Sequence, residues 1–136
     1  MKANVVGDLL DDNILIPLQA IVGTTPIVSD VMSLDNLDGA GLVLNSTGTV
    51  AGTWKVEGSN NYTSAKIPNL NQGAQVNSIR WADITTAFGT ISQPAGSAST
   101  KFYQAYPLVC RFIRVTFTPS SGTGNVSADY CAKGTR

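Results

Sequence analysis

In the segment FIRVTFTPSSGTGNVSADY, Phe112 to Tyr130, apolar residues fall at every second position on both sides of a Ser-Gly-Thr-Gly stretch. Ile113, Val115 and Phe117 alternate with polar residues on one side, and Val126, Ala128 and Tyr130 do so on the other. A period of two sends successive side chains to opposite faces, which a helix cannot do, so the segment is two strands that each bury one face. A hairpin turning at Ser121 and Gly122 sets Phe117 opposite Val126, Val115 opposite Ala128 and Ile113 opposite Tyr130. The other face then pairs Thr116 with Ser127, Arg114 with Asp129, and Phe112 with Cys131. One register serves the apolar set and an Arg114–Asp129 ion pair together, and a slip of one residue would lose both.

The rest of the chain reads the same way. Short apolar or alternating runs bounded by Gly, Asn, Ser and Pro lie at Asn13 to Val22, Val28 to Leu34, Gly41 to Asn45, Thr49 to Glu57, Phe102 to Tyr106 and Val109 to Thr118. Pro17 makes the first an edge strand or a bulged one. In the fourth, Val50, Gly52, Trp54 and Val56 share the buried side, which places Trp54 in the core. Helical readings are short and confined to Val5 to Asp11 and Trp81 to Phe88. Gly58 to Gln75 is a long polar loop, of the kind that binds something or packs on a neighbour. Many short strands separated by turn residues point to an all-β sandwich or barrel. With 136 residues there is room for one domain and one core. The expected division is an N-terminal arm or edge strand at 1–22 and a β-sandwich at 23–136.

Charged residues make up 13% of the chain, about half the usual globular share. Lys and Arg balance Asp and Glu at nine each, so no basic stripe exists to hold nucleic acid. A weakly charged surface resists association poorly, which favours a protein that works in an assembly. The N-terminus lacks the continuous apolar run and small-residue cleavage site of a signal peptide, and no run is long enough for a membrane helix. The expected setting is a reducing cytoplasm, where the sequons at Asn45, Asn61 and Asn125 are only polar loops.

The sequence contains no histidine. Ser-His-Asp and Cys-His nucleophiles and the commonest metal ligand are thereby excluded. The acidic groups at Asp8, Asp11 and Asp12, and at Asp35 and Asp38, lack calcium-loop spacing and read as turn formers. One Glu and no carboxylate pair in an apolar setting make a poor glycosidase. Cys110 and Cys131 have no further soft ligands, and read as free thiols or as a disulfide formed outside the cell. The expectation is a non-enzyme with no cofactor and no metal. Tyr62, in the long polar loop, is the candidate surface aromatic for a glycan, and Arg114 and Asp129 are candidate contact residues.

Two stretches also carry a resemblance. GTWKVEGSNNY, Gly52 to Tyr62, is similar to a strand of discoidin-type, galactose-binding-like jelly rolls, and CRFIRVTFTPSSGTGNVSADYCAKG, Cys110 to Gly134, resembles the R-[YF]-[IV]-R-V strand of those domains. Together with Trp81-Ala82-Asp83-Ile84 and the Ala132-Lys133-Gly134 end, the set resembles small tailed-phage virion structural proteins. The resemblance spans roughly Gly39 to Gly134. It implies a single jelly roll and a place in the virion, made in the host cytoplasm, as a capsid decoration, cement or head-associated protein. The implied partners are major capsid or tail subunits and further copies of the chain, with a trimer as the expected oligomer. In this reading the arm, Met1 to Val22, buries apolar area on neighbours. The alternative implied by the same family is a receptor- or glycan-binding module on a tail or fibre.

Overall fold

A computed structural model describes residues 14–34, 38–62 and 79–133. Nine strands lie among them: β1 (Ile14–Ala20), β2 (Ile27–Val28), β3 (Met32–Ser33), β4 (Gly39–Ser46), β5 (Ala51–Ser59), β6 (Ala82–Asp83), β7 (Ser99–Ala105), β8 (Phe112–Ser121) and β9 (Asn125–Lys133). They form two antiparallel sheets. Sheet A has the order β1-β9-β4-β7; sheet B has β2-β8-β5-β6, with β3 also on β8. If β2 and β3 count as one interrupted strand, the chain visits the sheets in the order of an eight-stranded jelly roll, alternating except at β5 and β6, which are neighbours in sheet B. The protein is an all-β sandwich.

The apolar face of each strand turns inward. Leu42, Leu44, Val126 and Ala128 from sheet A meet Trp54, Val56, Ile113, Val115 and Phe117 from sheet B in one core. Trp54 is 3% exposed and stacks at a tilt on Phe117, with ring centroids 4.7 Å apart. Both rings lie on the inward side that the period-two pattern assigns to them.

The expected hairpin is not formed. β8 and β9 belong to opposite sheets: β8 pairs with β5, and β9 pairs with β4 and β1. Ile113, Val115 and Phe117 do share a core with Val126 and Ala128, but they meet them through the sandwich and not side by side. An alternating pattern fixes which face of a strand is buried. It does not fix whether the partner lies beside it or across from it.

The link between them, Gly122 to Gly124, is an arch that crosses from one sheet to the other beside the β4–β5 turn. Thr49 N–H donates to Thr123 C=O at 2.8 Å, and Thr47 N–H donates to Asn125 C=O at 2.9 Å. In return, Thr123 N–H donates to the Thr49 hydroxyl and Asn125 N–H to the Thr47 hydroxyl. Such close stitching needs backbone without side chains. A Cβ at Gly48 would meet the Thr123 carbonyl oxygen, and one at Gly122, where φ is +86°, would run into that of Thr49.

The expected arm resolves differently along its length. Residues 1–13 lie outside the described residues, as does the Val5 to Asp11 helix candidate. Ile14–Ala20 is an edge strand of sheet A; Leu15 and Ile16 are buried in the chain's own core, while Ile14, Leu18 and Val22 are exposed. Register shifts on either side of Ile16 accompany Pro17, as an edge strand with a proline requires. The Trp81 to Phe88 candidate is β6 followed by a 3-10 turn at Thr85–Phe88.

Gly122→Ala combines a strained φ with a backbone collision and should cost roughly 2–3 kcal/mol. Urea unfolding followed by Trp fluorescence measures this, and a loss under about 0.5 kcal/mol would contradict the interlocked arches.

Candidate functional site

β5 and β8 run side by side in sheet B, pairing Lys55 with Thr116, Glu57 with Arg114 and Ser59 with Phe112. Since Trp54, Val56, Ile113 and Val115 point inward, Lys55, Glu57, Arg114 and Phe112 point outward. Their outward position should leave them in solvent, yet Glu57 is buried. Its carboxylate accepts from Arg114 Nε at 2.9 Å and lies 3.3 Å from Lys55 Nζ. The Arg114 guanidinium in turn sits 4.2 Å above the Trp81 ring. One hydrogen-bonded arginine, itself held over an aromatic face, and a second cation in salt-bridge range compensate the desolvation of the lone glutamate.

The aromatic half of the cluster is held by the turn that ends β5. Asn60 Oδ1 accepts from Arg111 N–H at 2.9 Å, and Asn61 Oδ1 accepts from Arg80 N–H at 3.1 Å and from the Ser59 hydroxyl. Short amide side chains imitate backbone turns in this way and tie three chain segments together. Tyr62 is thereby set 5.8 Å from Trp81 and 5.4 Å from Phe112, centroid to centroid. Arg111 lies over the other aromatic, 5.2 Å from the Phe112 centroid. The outside of sheet B therefore carries Tyr62, Trp81 and Phe112 interleaved with arginines. Around it stand Lys55, Arg80, Arg111 and Arg114 against Glu57 and Asp83, a local excess of two positive charges on a neutral chain. Asp83 turns its carboxylate to the Thr85 hydroxyl and N–H, and these hydrogen bonds hold its pKa below the usual value.

Beside the cluster is a depression of about 440 Å3, bounded by Ser59, Asn60, Asn61, Arg80 and Cys110 among others. Among the described residues, no three His, Cys, Asp or Glu come together as a metal group. The acidic residues Asp8, Asp11, Asp12 and Asp35 lie outside them.

Of the three residues singled out in the sequence, the structure brings Tyr62 and Arg114 together, with Trp81 between them. It separates Asp129, which is exposed in sheet A, where it pairs in register with Val43 and Ile14. The expected Arg114–Asp129 ion pair is replaced by Arg114–Glu57, because the two strands part at the arch. Tyr62 is not a bare platform either, since two rings pack on it. Trp81 and Glu57 were not among the candidates. The sequence signal that could have found Glu57 is an acidic residue and an arginine at outward positions of two long strands. The two cysteines are free and also apart. Cys110 packs on the inner side of β5 near Gly58, while Cys131 is exposed beside Gly41 on sheet A. Burial pushes the Cys110 thiol pKa up, which favours its protonated, less nucleophilic form.

No family model matches the chain, and comparison with curated proteins and with solved structures finds no match.

Two outcomes check this site. A double-mutant cycle of Arg114→Ala with Glu57→Gln should show a coupling of about 1–2 kcal/mol, whereas Arg114→Ala with Asp129→Asn should add within about 0.5 kcal/mol. The reverse ranking would restore the hairpin. Under a limiting alkylating agent at neutral pH, Cys131 should be modified about tenfold faster than Cys110 or more, as read by peptide mass spectrometry.

Proposed function

We propose that this chain is a bacteriophage virion structural protein, a decoration or head-associated subunit, and that the outer face of sheet B is its docking surface. The observation that carries the reading is the Tyr62–Trp81–Phe112 cluster interleaved with Arg111 and Arg114. Tyr, Trp and Arg are the residues on which binding energy concentrates in protein interfaces. Here they are already ordered by their own contacts, so little side-chain entropy remains to be lost on docking. The local positive excess suits an acidic patch on a capsid or tail subunit. Many weak copies on a lattice add up to firm attachment, so a single small face suffices.

The jelly-roll connectivity agrees with the family that the sequence resembles, and that family supplies the virion setting. The alternative is a tail- or fibre-associated glycan-binding module. It draws on the depression beside Asn60, Asn61 and Arg80, whose amide and guanidinium groups suit sugar hydroxyls. The aromatic rings favour it less, because a sugar stacks on an open ring face and Trp81 gives one of its faces to Arg114.

The test is binding of the purified chain to virions made without it, followed by co-sedimentation. The wild-type chain should bind, and Trp81→Ala combined with Arg114→Ala should weaken binding about tenfold or more. Undiminished binding of the double variant would move the contact elsewhere. Failure to bind virions, together with selective binding on a glycan array, would establish the alternative.

A further inference from the structure

A sandwich has four sheet edges, and three of them here are covered, short or irregular. The β5 edge of sheet B is covered almost residue by residue by the 82–96 segment. Gly96 N–H donates to Val50 C=O, and Gly52 N–H to Pro94 C=O. The Gln93 carboxamide takes both Trp54 backbone groups, at 2.6 and 3.3 Å. The Thr85 hydroxyl accepts from Val56 N–H, Ile84 N–H donates to Val56 C=O, and Gly58 pairs with Ala82. At the other end of sheet B, β2 and β3 are two-residue fragments. In sheet A, β1 is broken by Pro17 and two register shifts. Short strands, prolines, bulges and covering segments are the devices that keep an edge from pairing with another chain.

Among the described residues, β7 has no proline, no bulge and no covering segment, and its single charge is Lys101. It is paired with β4 over all seven residues, Ser99 to Ala105. Its exposed side can be identified. Just past β4, Thr47 and Thr49 donate toward the β9 side, so odd-numbered residues of β4 face β9 and even-numbered ones face β7. Leu42 lies opposite Tyr103 and Leu44 opposite Lys101, so the odd residues of β7 bond to β4. The N–H and C=O groups of Thr100, Phe102 and Gln104 therefore point away from the sheet, and among the described residues nothing bonds to them. Phe102, at their centre, is 57% exposed.

We propose that β7 pairs antiparallel with β7 of a second copy, about a two-fold axis at Phe102, to give one continuous sheet. The sequence of the strand fits itself in that register. Phe102 faces Phe102 of the second copy, Thr100 faces Gln104, Ser99 faces Ala105, and Lys101 faces Tyr103. The one charge on the strand never meets its own copy, and the centre is an aromatic pair, a favourable cross-strand combination. Because Phe102 is among the outward-bonding residues, the axis falls on a hydrogen-bonded pair. The three donors and three acceptors on each copy are then all used, in about six hydrogen bonds. The pairing is isologous and closes at two, so it builds dimers and not the trimer expected from the family resemblance. It uses the opposite sheet from the docking face, so either proposal can fail alone.

The test is light scattering of the full chain over rising concentration, with amide exchange followed by NMR. The mass should climb from 14.2 kDa toward twice that value. The amides of Thr100, Phe102 and Gln104 should become at least about tenfold slower to exchange as it does, while those of Lys101 and Tyr103 are protected throughout. Gln104→Pro, which removes an outward N–H only, should keep the β-sheet circular dichroism and stay near 14.2 kDa. If that variant does not fold, the wild-type exchange pattern decides. A mass that never rises, a trimer, or a dimer whose Thr100, Phe102 and Gln104 amides exchange freely would overturn the proposal.

Discussion

Two crossings between the sheets, at Thr47 to Thr49 and at Gly122 to Asn125, are bonded to each other through backbone and threonine hydroxyls on both sides. The rest of the molecule depends on this interlock. It sends β5 and β8 into one sheet and β4 and β9 into the other, so that the two longest strand pairs are cross-linked at one end. The core follows from that division, because each pair then presents one apolar face to the other across the width of a sandwich. At the far end, the Asn60 and Asn61 carboxamides join β5 to the segments before β6 and β8. Sheet B is thus tied at both ends by hydrogen bonds that no helix or disulfide supplies.

Much of the fold is legible in the residues. Period-two alternation marks the inward faces at Val50 to Val56, Ile113 to Phe117 and Val126 to Ala128, and those residues are the core. Pro17 marks an edge strand, and an edge strand is there. What alternation cannot carry is the identity of the neighbour. Val115 and Ala128 touch the same core whether their strands lie side by side or face to face, and a Gly-containing link of three residues serves a hairpin or an arch equally. The Arg114–Asp129 pairing fell with that ambiguity, since both residues point outward, but from different sheets.

The site was legible in part, and for a related reason. Tyr62 and Arg114 each stand out locally, one in a polar loop and the other in mid-strand. Their meeting depends on Trp81, which arrives from beyond residues 63–78 and is fixed by no local pattern. Glu57 is buried beside Lys55 and Arg114, and Arg114 is itself held on that distant ring. Contacts of this kind are set by tertiary packing, where sequence periodicity is silent. The same division separates the two surfaces of the sandwich. Sheet B has its edge sealed and its outer face furnished with arginine and aromatic rings. Sheet A leaves β7 open, with a plain outer face on which Phe102 rests against Gly41. In the reading proposed here, one sheet meets a partner through side chains and the other through its backbone.

The parting of β8 from β9 underlies the core, the Arg114–Glu57 contact and the open edge of β7 alike. Inter-strand Hα–Hα contacts in an NMR experiment on the isotope-labelled chain test it most directly. Contacts linking residues of 112–121 to 51–59, and residues of 125–133 to 39–46, are the result the jelly roll requires. Contacts between 112–121 and 125–133, with Val115 beside Ala128, would mean a hairpin and would contradict it.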